Sequence, residues 1–246
     1  MALHQVGFIH RDIKPANISI GNTQDTAGNI YLIDLGMCKK YFNADSVNSE
    51  IPLNNFRGTV RYASLRTHYG FDLCRGDDLI SLIYVLIELY IGDLPWSHLT
   101  QKEEVQRMKE KYMGKSLMSE MPKQFEQIWE YLSSVDFFDQ PDYILIAKLM
   151  RDAAVENEID LKAPFDWEEQ MDLMRITVKK QFKIDSQMQN QEQGEFSAIN
   201  QNTDFCIIEQ VSALFLREDQ KPDESFASDW KLIVKLITFF ISFIIA

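Results

Sequence analysis

At 246 residues, with 46% hydrophobic and 12% aromatic content, the chain has room for one good-sized domain with a real core, plus a tail. A formal charge of -12 and a pI near 4.8 make a surface that repels nucleic-acid phosphates; this excludes a general nucleic-acid binder while leaving a local basic site open. The three cysteines, Cys38, Cys74 and Cys206, are widely spaced with no CxxC pair, which argues against a disulfide framework or a zinc site and fits a reducing compartment.

In chain order, residues 7–9 predict a short strand that enters the run His10-Arg11-Asp12-Ile13-Lys14-Pro15-Ala16-Asn17. No apolar run of signal-peptide length precedes the charged residues at 10–12, so the main domain is expected to be cytoplasmic. Residues 18–20 predict a second strand, ended by Gly21-Asn22. The polar, glycine-containing stretch 22–29 has the composition of a hairpin connection. Residues 30–33 form an apolar run of strand length, expected to be buried, that stops at Asp34 and Gly36.

Helical patterns follow. Residues 78–90 are apolar nearly all round, which predicts a helix in the middle of the domain. Residues 103–113 are amphipathic and highly charged. Over 124–135, Phe125, Ile128, Trp129 and Leu132 fall on one face, and 143–150 is a further apolar helix with Pro141 near its start. The fold class expected is mainly α (α+β): a helical bundle with a few short β-strands around the loop at 10–17. There is no internal repeat, but composition divides the chain into three zones. Residues 1–175 look globular. Residues 176–229 turn polar and amide-rich, as in Gln187, Gln189, Asn190 and Gln191, and read as a mostly disordered linker. Residues 230–246 are strongly apolar.

The chemistry lies in the first forty residues. Phosphoryl transfer to a hydroxyl needs a carboxylate to orient the hydroxyl and take its proton, and a cation to offset charge on the phosphoryl group. It also needs oxygen ligands for a metal that bridges the phosphates. Asp12 suits the first role and Lys14, two residues on, the second. Asn17 and Asp34 offer hard oxygen donors for magnesium (Mg2+), and Gly36 permits a tight turn after Asp34. A lone His-Arg-Asp is a weak signal. Here the full HRDxKxxN spacing is followed, 17 residues after Asn17, by Asp-Leu-Gly with an apolar strand directly before it, and that compound pattern is specific. His10 reads as a packed, structural histidine.

These motifs resemble the C-terminal lobe of a eukaryotic protein kinase of the serine/threonine class. Phe56-Arg57-Gly58-Thr59-Val60-Arg61-Tyr62-Ala63-Ser64, with no Ala-Pro-Glu after it, resembles the casein kinase one group. So do Gly76-Asp77-Asp78-Leu79 and Leu94-Pro95-Trp96. Pro141-Asp142-Tyr143 and Phe165-Asp166-Trp167-Glu168 resemble its tau-tubulin kinase branch, and the likeness spans about residues 1–170. The resemblance implies ATP and Mg2+ as cofactors and a protein substrate. It makes Asp12 the catalytic base, Lys14 the phosphate-contacting lysine, and Asn17 and Asp34 the metal ligands. It also implies that Arg11 braces the activation segment and that Thr59 bonds near Asp12 and Lys14 to seat the substrate. Asp78, otherwise a solvated charge at a helix start, would hold the backbone of the catalytic loop. Arg57 and Arg61 flank Gly58-Thr59. They read either as a local anion site for acidic or phosphorylated substrates or as surface arginines paired with nearby carboxylates.

Two departures qualify the resemblance. Leu35 stands where most kinases carry phenylalanine, an exchange that keeps an apolar side chain. No glycine-rich phosphate loop, strand lysine or partner glutamate stands before Asp12. The chain therefore reads either as an incomplete serine/threonine kinase, weak or inactive in this form, or as a non-catalytic kinase-like binding or regulatory module. The tail has eleven uncharged residues over 236–246, short of the ~20 of a membrane span. Lys231, Lys235 and Trp230 suit a membrane interface. Membrane contact through 230–246 and an apolar segment with no membrane role both stay open.

Overall fold

A computed structural model describes residues 3–161 and 163, apart from 22, 24, 25, 27 and 41–55. The expected linker at 176–229, the apolar tail, Cys206 and Phe165-Asp166-Trp167-Glu168 all lie outside the described residues. The chain divides into two compact units. The described parts of 3–19 and 30–163 belong to the larger. Those of 20–29 belong to the smaller, where Gly21 N–H donates to Asn29 C=O at 3.0 Å and the Thr23 and Thr26 hydroxyls bond at 2.6 Å.

Among the described residues four short strands precede five α-helices. Strand β1 (Phe8–Ile9) pairs antiparallel with β4 (Lys39–Lys40), Phe8 opposite Lys40 and Ile9 opposite Lys39. Strands β2 (Ile18–Ile20) and β3 (Ile30–Leu32) form a second two-stranded sheet. The 30–33 run makes a strand, but it is not buried throughout. Ile30 is fully buried and Leu32 half-buried, whereas Tyr31 and Ile33 are 41% and 46% exposed. Successive strand side chains point to opposite faces, so 30 and 32 share the inner face and 31 and 33 the outer one. Four apolar residues in a row hid that alternation.

The core is organised on α2 (Arg75–Ile91). Eleven of its 17 residues are buried, so it is surrounded rather than lying on the surface, as its all-round apolar pattern requires. It starts three residues before position 78 because Asp77 reaches back to accept from Cys74 N–H at 2.7 Å, and from Ser64 Oγ at 2.6 Å. Gly92, at φ +92, ends it in the left-handed conformation that glycine adopts without penalty. Helix α4 (Lys123–Ser134) buries Phe125, Ile128, Trp129 and Leu132, the i, i+3, i+4, i+7 stripe, and packs on α2 and α5.

Helix α5 (Tyr143–Glu156) is capped by Asp142, whose carboxylate accepts from Leu145 N–H at 2.9 Å. It runs past Met150 because Arg151 and Asp152 are only its wet face. Ala153 and Ala154 return to the buried face set by Ile146, Ala147 and Met150. Helix α1 (Leu65–His68) packs on α3 (Lys102–Lys111), which buries Val105 and, unexpectedly for a charged residue, Lys109. No helix of the described residues is long and apolar enough to cross a membrane.

Candidate active site

The loop after β1 is held from beneath. Asp78, on the buried first turn of α2, accepts from His10 N–H at 2.7 Å through one carboxylate oxygen and from Arg11 N–H at 2.9 Å through the other. Arg11 needs this support, because its φ of +69 is left-handed, a conformation costly for a residue with a Cβ. The same oxygen that takes His10 also meets His4 Nε2 at 2.9 Å, while His4 Nδ1 meets the Tyr143 hydroxyl at 2.8 Å. His10 is wholly buried. Its Nε2 lies 3.1 Å from Ile33 C=O and its Nδ1 accepts from Asp12 N–H at 3.3 Å, so it packs the loop against the end of β3.

Asp12 is the centre of the site. Lys14 Nζ donates to one of its oxygens at 2.7 Å and Thr59 Oγ donates to the other at 2.7 Å. Lys14 and Thr59 also bond each other at 3.2 Å, which closes a triangle. Asn17 Nδ2 donates to Asp12 C=O at 2.8 Å and to its carboxylate at 3.3 Å. Burial pushes the Asp12 carboxyl up. Hydrogen bonds from Lys14 and Thr59 and the charge of Lys14 outweigh that, so its pKa is held below the ordinary carboxylate value. Side-chain donors fill three of about four acceptor positions on the carboxylate, and the Thr59 backbone N–H bears on it as well.

Thr59 reaches Asp12 because Gly58 lets two backbones touch. At φ +105, a Cβ on Gly58 would lie 2.7 Å from Arg11 C=O. Across the site, Ile33 N–H donates to Asn17 C=O at 2.9 Å, which ties the backbone just before Asp34 to Asn17. Asp34 is exposed and left-handed at φ +62, and its carboxylate accepts from Gly36 N–H at 3.3 Å. Arg11 Nε donates to Met37 C=O at 2.6 Å, tying the loop to the turn that follows Asp34.

Asn17 spends its amide nitrogen on Asp12, so its oxygen is the atom left to meet a cation. No three His, Cys, Asp or Glu side chains among the described residues cluster closely enough to hold a metal by themselves. One carboxylate and one amide oxygen on adjacent backbone fit magnesium, which takes few protein ligands and completes its shell with water and substrate phosphates.

The two arginines separate. Arg61 donates to Glu88 at 2.8 Å and to Ser97 C=O at 2.9 Å, and the Tyr62 hydroxyl donates to the other Glu88 oxygen. Pairing with a carboxylate, the second of the two sequence readings, describes Arg61. Arg57 is exposed, and the charge it presents to Arg11 adds to burial in lowering the pKa of that guanidinium. Glu88, Ser64, His4 and Lys109 were not singled out from sequence. For Lys109 a signal existed: 105, 108, 109 and 112 form one helical stripe, and Lys109 is its charged member.

The loop thus presents a buried aspartate braced by a lysine, a threonine and an asparagine, with an exposed aspartate at the end of the neighbouring strand. The family model of the protein kinase domain matches residues 1–151, more than half of the chain, and the chain belongs to that family. Over 170 residues it is 39% identical to a probable serine/threonine-protein kinase of Dictyostelium discoideum. The match covers 69% of this chain and 34% of that protein, so the chain spans about a third of the relative's length.

Proposed function

We propose that this chain carries the catalytic lobe of a serine/threonine protein kinase, transferring the γ-phosphoryl group of ATP to a protein hydroxyl. The casein kinase one group, and its tau-tubulin kinase branch, are the subgroup whose motifs it shares. The observation that supports this best is the triangle of Asp12, Lys14 and Thr59 with Asn17 behind it.

In this reading the substrate hydroxyl approaches the Asp12 carboxylate from the Thr59 side, exchanging with one of its present donors. A carboxylate held below its ordinary pKa is a weak base, so it orients the oxygen and receives the proton late, as a loose phosphoryl transfer requires. Lys14 lies close enough to share its charge with the transferring group. Asn17 and Asp34 would hold Mg2+, which neutralises phosphate charge when bound. Arg11 and Asp78 keep the loop in register, and Thr59 fixes the substrate segment to the base. Arg57, the exposed arginine of that segment, favours acidic or phosphorylated protein substrates.

Transfer from labelled ATP to an acidic protein, wild type against Asp12→Asn, tests the reading. Asparagine keeps the shape but cannot take the proton, so activity is expected to fall by about a hundredfold or more. Equal incorporation by the two proteins would overturn it.

A further inference from the structure

A lysine with almost no exposure and no carboxylate partner among the described residues needs an explanation, because burying an ammonium is costly unless its N–H groups are satisfied. Lys109 is 1% exposed. Its Nζ donates to Val60 C=O at 2.8 Å and to Ala63 C=O at 2.6 Å, and lies 3.2 Å from His68 Nε2. The rings of Tyr84 and Trp96 sit 5.0 and 5.2 Å away, where their faces favour a cation. All three polar partners bear on one segment. Val60 and Ala63 belong to the run that carries Thr59, and Thr59 C=O accepts from Tyr62 N–H at 3.0 Å and Ala63 N–H at 2.9 Å. His68 also meets the Phe56 ring edge-on at 5.3 Å, so the Lys109–His68 pair touches both ends of the segment.

We propose that Lys109 is a positioning residue for the protein substrate: it clamps the turn 59–63 and so holds Thr59 against Asp12 and keeps the segment that carries the exposed Arg57 at the substrate face. The part concerning substrate rests on the kinase reading above; the clamp does not.

The geometry works in either protonation state. Burial pushes Lys109 down to about 6 and, with the Lys109 charge, pushes His68 down to about 4. An ammonium offers three N–H groups, to two carbonyls and the bare His68 nitrogen. A neutral amine offers two to the carbonyls and takes His68 N–H on its lone pair. Among the described residues the groups facing Lys109 are His68 from α1, Tyr84 from α2 and Trp96, with no carboxylate in contact.

The test compares Lys109→Met, which keeps the shape without donors, with Val105→Ala, which opens a cavity on the same buried helix face and removes no hydrogen bond to the loop. Amide hydrogen exchange over 56–64 is measured first, because it needs no catalysis. Lys109→Met is expected to speed exchange there about tenfold and leave 10–17 protected, while Val105→Ala leaves 56–64 at the wild-type rate. In phosphorylation assays Lys109→Met is expected to raise KM for an acidic protein substrate several-fold with KM for ATP within twofold. If Lys109→Met fails to fold by circular dichroism, Lys109→Gln, which retains an N–H donor, carries the same comparison. Wild-type exchange in the Lys109 variant, or the same change in both variants, would overturn the clamp. Faster exchange with an unchanged substrate KM would overturn the positioning role, and inactive wild-type protein would count against the kinase reading alone.

Discussion

Replacing Asp78 with alanine should be among the most damaging single changes in this protein. The carboxylate is 3% exposed and accepts from two consecutive backbone amides, His10 and Arg11, and from His4. Alanine leaves both amides without an acceptor in a place water does not reach. A buried donor left unpaired costs ~1–3 kcal/mol, and loss of the His4 contact adds to that, so Asp78→Ala is expected to cost ~3–6 kcal/mol. Total stabilities are commonly ~5–15 kcal/mol, so much of the fold's margin would go. Asp78→Asn keeps one acceptor but turns an amide NH2 toward the second donor, and should cost ~2–4 kcal/mol. Urea denaturation followed by tryptophan fluorescence reads these differences from the midpoint and slope. The loop should fail before the core: exchange over 9–14 rises even where the helices stay folded, since Arg11 holds its left-handed conformation only while Asp78 restrains it. A cost below about 1 kcal/mol for Asp78→Ala would refute the reasoning, because it would mean those amides find other partners.

Gly58→Ala should destabilise by ~1–3 kcal/mol and displace Thr59, since the added Cβ meets Arg11 C=O at 2.7 Å and φ is +105. An unchanged urea midpoint would show that the two backbones separate freely. The acid limb of stability should depend on His68. Its pKa falls from 6.5 in the unfolded chain to about 4 in the fold, so between those values the unfolded state binds the extra proton. That contribution is whole above pH 6.5 and is lost as pH drops toward 4, roughly 3 kcal/mol in all. Midpoints measured from pH 7 to 4 should fall less steeply in His68→Gln than in the wild type, and equal slopes would refute the assignment.

The candidate site could be read in the sequence because its residues are local. Asp12, Lys14 and Asn17 sit within six residues, and Asp34 follows one hairpin later, so spacing alone brings them near one another. The amphipathic helices were equally visible, since the stripe of Phe125, Ile128, Trp129 and Leu132 depends only on the helical period. Element ends were harder. Asp77 begins α2 by reaching back to Cys74, and Ala153 and Ala154 extend α5, neither of which apolar content announces.

What the sequence by itself determined is thus the family and the helical framework, because both are written in short-range pattern. The tertiary structure alone decided what each charge does. Arg57 and Arg61 are alike in sequence, yet Glu88 from the last turn of α2 engages Arg61, while Arg57 stays exposed. Lys109 looks like one more surface charge on a charged helix, yet carbonyls 46 and 49 residues away make it interior. A charge is settled by the partners and the water around it, and those arrive through folding from distant parts of the chain.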